Sequence, residues 1–124
     1  MITTEVDPKK RLAIHRYEGT FNMADVRNAM QKLFANREFV ADFSILWDLR
    51  NSDIEITLAD ILRLDPEIVK LANAARPSGK TAWVASTALG ESILQLLYSQ
   101  HNWAAEWRTF SKLEAALSWC QKND

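Results

Sequence analysis

Between Lys80 and Cys120 the chain alternates two short apolar runs with two stretches of helical spacing, and that alternation restricts the fold more than any other feature. Thr81 to Ser86 is an apolar run of strand length. Leu89, Ile93, Leu96 and Leu97 then recur at the spacing of one helical face, which closes near His101-Asn102. Ala104 to Phe110 reads as a further strand. Ser111-Lys112-Leu113-Glu114 has the pattern of a capping box, and the helix it opens carries Leu113, Ala116, Leu117 and Cys120 on its apolar face. Strands joined by helices pair in parallel through right-handed crossovers, so this third of the chain already predicts an α/β domain.

The rest of the chain extends the pattern. Ile2 to Val6 and Arg11 to Glu18 alternate as strands around an Asp7-Pro8-Lys9-Lys10 turn, and Gly19 is expected to end this antiparallel hairpin. Leu12 and Ile14 fall on one face of the second strand, and Ala13, His15 and Tyr17 on the other. Asn22 caps a helix with an acid, Asp25, at the third position, and Val26, Met30, Leu33 and Phe34 form its apolar stripe. Phe43 to Leu49 is too short and too apolar for anything but a central strand, ending near Asp48 and followed by a polar loop from Arg50 to Ile56. Thr57 and Asp60 begin a short helix that Asp65-Pro66 interrupts; Asp65 then caps a continuation carrying Ile68, Leu71, Ala72 and Ala75. The expected order is β-β-α-β-α-β-α-β-α, with about four helices in one domain over residues 1–124.

Composition narrows the function classes. The 48% hydrophobic and 25% charged residues suit a packed core, and 124 residues can bury one without metal or disulfides. Fifteen basic residues against 16 acidic ones create no field that would draw nucleic acid. No run approaches the roughly 20 apolar residues of a membrane span. A single cysteine and the lack of a basic-then-apolar leader make the cytoplasm the expected location.

Several tempting chemistries fail on inspection. Ser78-Gly79-Lys80-Thr81 looks like the tail of a phosphate-binding loop, but position 74 is alanine and the loop runs from helix to strand, the reverse of what anion binding at a helix N-terminus needs. His15 and His101 have no ligand-spaced partners, so no metal is expected. No serine-hydrolase elbow occurs, and Cys120 reads as a buried, inert thiol. Asp48, Asp53 and Glu55 could supply carboxylates and Arg50 an anion contact, yet no spacing specifies a reaction; no catalytic residue and no cofactor are assigned.

Two regions remain as candidates. The polar segment after the central strand supplies Asp48, Arg50, Asn51, Ser52 and Thr57, and Ser86 and Thr87 lie at the equivalent end of the next strand. Ligands of open α/β sheets favour that edge, so these residues could bind a small polar or anionic ligand; the same hydroxyls are also simple helix caps. The five tryptophans are the second candidate. Trp47 and Trp83 read as core, whereas Trp103, Trp107 and Trp119 could be ordinary packing, an interface or the wall of an apolar pocket.

Ile45-Leu46-Trp47-Asp48-Leu49-Arg50, followed by a capped helix, resembles the STAS pattern of an apolar strand ending in Asp-Leu. Lys80 to Ser86, the Glu106-Trp-Arg-Thr-Phe strand and a terminal helix ending Ala-Leu-Ser-Trp119 are similar to the SpoIIAA-like branch of the STAS/SEC14 domains. The resemblance in element order covers nearly the whole chain. It implies a single-domain mixed sheet with an N-terminal antiparallel hairpin and parallel central strands. It also implies a noncatalytic, regulatory role exercised through a protein partner or a homodimer, with a small-ligand or lipid-binding cleft near Asp48, Thr57 and Ser86 as the alternative. STAS antagonists of this type are switched by phosphorylation at a helix start. The matching stretch here is Glu55-Ile56-Thr57-Leu58-Ala59, with Leu58 at the phosphosite position, a departure that counts against such a switch.

Overall fold

Ten elements follow one another in the computed structural model, which describes residues 1–122: β1 (Ile2–Asp7), β2 (Leu12–Phe21), α1 (Met23–Phe34), β3 (Ser44–Ile54), α2 (Leu58–Leu62), α3 (Pro66–Ala75), β4 (Lys80–Ala85), α4 (Ala88–Ser99), β5 (Glu106–Phe110) and α5 (Leu113–Gln121). Local chemistry sets most of the boundaries. Asn22 and Asp25 form a capping box at α1, and Thr57 and Asp60 form another at α2. The Asp65 carboxylate accepts from the Glu67 N–H and Pro66 takes the first position of α3, where its missing N–H costs little. The interruption expected at Asp65-Pro66 is present, and with its two parts counted separately the described residues hold five helices.

The strands lie in the order in which they occur in the chain, with β1 antiparallel to β2 and all later pairs parallel. That order decides where the helices go. Each step from β2 to β3 to β4 to β5 moves the same way across the sheet, and right-handed crossovers then place every connecting helix on one face. Side chains of α1, α2, α3 and α4 accordingly share one core with Ala13, Ile45, Trp47, Leu49, Trp83 and Ala85. The opposite face would be bare but for α5, which follows the last strand. Ala116, Trp119 and Cys120 of α5 cover Leu12, Leu46, Ala82 and Val84.

Three strand boundaries and one helix start differ from the sequence expectation. Gly19, at φ 96°, does not end β2, which continues to Phe21. The segment from Arg50 to Ile54 is not a loop but the end of β3, pairing with Glu18 to Phe21 of β2 beyond a register shift at Arg16/Glu18. β4 stops opposite Leu49, so this outer stretch has a neighbour on one side only and keeps polar side chains in water. β5 begins at Glu106 rather than Ala104. Finally, α5 is preceded by Lys112 as its N-cap, with no side-chain hydrogen bond, so Ser111 does not close the expected box.

Candidate functional site

The helix-covered face carries an aromatic row that follows directly from register. Parallel neighbours lie about 4.8 Å apart, so in-register side chains on one face stack. Trp47 and Trp83 are register partners, and their rings lie 4.6 Å apart at 7°. His15, opposite Trp47 on β2, places its ring 4.3 Å away. On the other side Trp107 of β5 meets Trp83 at 5.1 Å, Trp103 stacks on Trp107 at 4.6 Å, and Tyr98 of α4 lies 5.4 Å from Trp107. The row therefore crosses four strands. Trp103 and Trp107 are half-buried and pack against the main core, and Trp119 is only 8% exposed, against Phe110 and under the cations of Lys80 and Arg108.

A cavity of about 40 Å³ lies between this row and helices α1 and α3. Val26, Met30 and Phe34 wall it from α1, Asn73 and Arg76 come from α3 and its C-cap, and Thr81, Trp83, Trp103 and Trp107 from the sheet side. Arg76 is the structural hub of this corner. Its Nη1 donates to Thr81 Oγ1 at 2.6 Å, and its Nη2 donates to the carbonyls of Phe43 and Lys80, each at 2.9 Å. Burial pulls its pKa down to about 10, opposed only by the nearby Cys120 thiol, and among the described residues no carboxylate pairs with it. Gly79 answers to the same contact: its φ is 111°, and a Cβ there would lie 2.7 Å from Arg76 Nη2. Three buried nitrogens lack a hydrogen-bond partner among the described residues, Arg76 Nε, Trp83 Nε1 and His15 Nε2. His15 shares a hydrogen bond of 2.8 Å with Thr4 Oγ1 through Nδ1, and burial lowers its pKa to about 4.

The polar residues singled out in the sequence divide into three groups. Asp48 is buried beside Val84 on the α5 side of the sheet, and Arg50 grips it with Nε and Nη2 at 2.8 and 2.9 Å. Burial alone would raise the Asp48 carboxyl, but the hydrogen bonds and charge of Arg50, aided by Arg16, hold it below its ordinary range. Ser52, Ser86 and Thr87 line one cleft of about 220 Å³ with Ile54, Leu89, Gly90 and Ile93. Within it the Ser52 hydroxyl donates to the Tyr17 carbonyl and the Thr87 hydroxyl accepts from the Gly90 N–H. Asn51 is exposed on the outer part of β3, and Thr57 caps α2; neither borders that cleft.

Sequence reading passed over Arg76 as the end of a helix, and it had no one-dimensional signal for orphaned donors. Leu58 entered the sequence reading only at the phosphosite position, and the exposure of Leu58 and Leu62 was not expected. They lie one turn apart on α2 and are 58% and 59% exposed, while Leu89, which its spacing placed on the apolar face of α4, lies at the start of that helix and is 71% exposed. α2 packs against α4. Among the described residues no group of three His, Cys, Asp or Glu converges as a metal site, and no helix is long and apolar enough to cross a membrane.

No protein-family model matches this chain, and neither does any curated protein. Solved structures do. A DUF3478-family protein with a SpoIIAA-like fold from Shewanella loihica superposes with a TM-score of 0.59 at 18% identity, over 97% of this chain and 92% of that one. The anti-sigma factor antagonist SpoIIAA in its unphosphorylated form gives 0.50 at 11% identity, over 93% and 92%. The fold is SpoIIAA-like, the STAS-type architecture expected from the apolar Asp-Leu strand and the strand–helix–strand–helix end of the chain.

Proposed function

We propose that this chain is a noncatalytic regulatory domain that binds a protein partner in the cytoplasm through α2 and the start of α4. The observation that carries the reading is the exposure of Leu58, Leu62 and Leu89 on two helices that pack together. Large apolar side chains left exposed one turn apart on a short helix favour a protein contact. The structural likeness to an antagonist of an anti-sigma factor, which acts on a protein, supports a protein as the occupant. Leu58 stands where the resemblance places a phosphosite, so the contact here is apolar rather than switched by phosphate. Reduced, buried Cys120 fits a reducing compartment.

Photo-crosslinking groups placed at Leu58 and Leu62, with Thr3 on β1 as control, test this in cells of the source organism. The reading expects one discrete heteromeric adduct from both leucine positions and none from Thr3. An adduct of twice the chain mass would replace the partner by a second copy. Adducts no different from those at Thr3 would refute both. A second reading, small-ligand binding at the sheet edge, is supported by the Ser52–Ser86–Thr87 cleft. Its volume falls short of the roughly 300 Å³ at which most ligand pockets begin.

A further inference from the structure

The strand ends opposite the Ser52–Ser86–Thr87 cleft gather positive charge that the near-balance of the whole chain conceals. β2, β3 and β4 begin there at Leu12, Ser44 and Lys80, and a second cleft of about 540 Å³ opens beside them. Five cations line it: Lys9, Lys10 and Arg11 from the β1–β2 turn, Lys80 on β4 and Lys122 just beyond α5. Among the described residues Asp42 is the one carboxylate in the lining. Two of the cations have set partners. Lys80 Nζ donates to the carbonyls of Trp119 and Lys122, against the negative end of α5, and Arg11 Nη2 donates to Asp42. Lys9, Lys10 and Lys122 form no ion pair among the described residues. Asp7, whose carboxylate accepts from the Lys9 and Lys10 N–H groups, offsets one of these charges.

Arg11 adds a second, independent observation. At φ 53° it is the one non-glycine residue in the left-handed region among the described residues, at the exit of a turn where glycine or asparagine is the ordinary choice. The chain thus keeps a cation at a strained position, and it holds the guanidinium between Asp42 and the Phe43 ring, 5.4 Å from the ring centroid. Backbone strain of this kind collects at sites of function.

We propose that this cleft binds a small polyanion carrying two or more phosphate groups, of the kind borne by a phosphorylated sugar or polyol. Charge sets the sign of the ligand, since a cation is repelled and a neutral molecule leaves the three unpaired lysines unanswered. Space sets the number of groups. The cations come from two separate parts of the chain, the β1–β2 turn and the end of α5, and a cleft of about 540 Å³ is of ligand size, far larger than one phosphate. The donor type sets the group. Lysines are compact point charges without the planar fork that matches a carboxylate, so they suit charge spread over tetrahedral oxygens. The lining also decides what the phosphates are attached to. Among the described residues no aromatic ring borders the cleft to stack a base, and no aliphatic side chain other than the lysine and arginine stems borders it to hold an acyl chain.

Nuclear magnetic resonance on uniformly 15N-labelled protein tests the site with pyrophosphate at constant ionic strength, against orthophosphate and acetate. The expected result is a saturable shift of the Lys9 to Leu12, Ser44 and Lys80 amides, with pyrophosphate bound at least about tenfold more tightly than orthophosphate and no saturable shift with acetate. Lys9→Gln, Lys10→Gln and Lys122→Gln combined remove three exposed charges and should weaken pyrophosphate binding at least about tenfold. Lys70→Gln, on α3 and outside the cleft, should leave it unchanged. Arg11→Asn suits the left-handed turn position, so it should weaken binding about threefold without lowering the urea midpoint. None of these results depends on the leucine surface of α2. Co-sedimentation with phosphatidylcholine vesicles containing phosphatidylinositol bisphosphate separates a free ligand from a lipid headgroup. The vesicles are expected to stay unbound, and vesicle binding lost in the triple variant would support the site with its phosphates on a lipid. Shifts that stay linear in concentration, equal affinities for pyrophosphate and orthophosphate, an unaltered affinity in the triple variant or in Arg11→Asn, or an equal loss in Lys70→Gln would each overturn the proposal.

Discussion

On the face under α1 to α4 the strands present His15, Trp47, Trp83 and Trp107, while on the face under α5 the intervening positions are Leu12, Leu46, Ala82 and Val84. The same strands thus build two interiors of different chemistry. The first is aromatic, holds the cavity and leaves buried nitrogens without partners. The second is aliphatic and closed by one helix, and its polar groups are matched. Ser44 Oγ donates to the Cys120 carbonyl at 2.9 Å, and Lys80 Nζ donates to the carbonyls of Trp119 and Lys122 at 3.1 and 2.8 Å. A cation at those last carbonyls also suits the negative end of the helix. The difference follows from topology. Three crossovers stack four helices on one side, and deep burial there accommodates large rings that a single nine-residue helix could not cover.

The largest effects should come from the aromatic row. Trp83→Ala removes an indole stacked on Trp47 and should lower the unfolding free energy by about 3–5 kcal/mol in urea titrations. Val84→Ala, one residue along but facing α5, should cost about 1.5–2 kcal/mol. Equal costs would erase the contrast between the faces.

His15 makes the contrast visible in pH. Its folded pKa of about 4 lies below the ordinary 6.5, so the unfolded chain binds the proton first. Stability is full above pH 6.5, declines as pH falls and levels off below about 4, for a total near 3 kcal/mol. Urea midpoints between pH 7 and 4 should show the decline, and His15→Gln should flatten it. Asp48, on the α5 side, contributes in a different window, because its lowered pKa releases stability only as pH falls below the ordinary carboxylate range.

Gly79→Ala should cost about 1–3 kcal/mol, since it strains a positive-φ residue against the Arg76 hub. Smaller still, Arg50→Ala should cost about 1–2 kcal/mol. It strands a buried Asp48, but the pair is half open to solvent, which weakens the loss. Least of all, Leu58→Asp and Leu62→Asp should change stability by no more than about 0.5 kcal/mol, which makes them clean reagents for the docking surface.

Much of this division was legible from residues. Trp47 and Trp83 in apolar strand runs, the caps at Asn22, Thr57 and Asp65, and the alternation of Leu12 and Ile14 against Ala13 and His15 are local signals, and the structure follows them. Where pairing is one-sided the signal fails. Residues 50–54 are polar because only β2 flanks them, so they look like a loop although they are strand. The grouping of Ser52 with Ser86 and Thr87, and the separate pairing of Asp48 with Arg50, depend on which face each residue takes, and a single slip in register decides that. Trp119 looked peripheral to its helix, yet it is buried because α5 must cover a whole sheet face with few residues.

Native-state hydrogen exchange tests the two-face account most directly. α5 has no side-chain N-cap and covers its face alone, so its amides should exchange through a partial opening, at a free energy below that of global unfolding. The amides of β3 and β4 beneath the tryptophan row should exchange only with the whole molecule. Exchange of α5 at the global limit, together with earlier release of β3 or β4, would contradict the account.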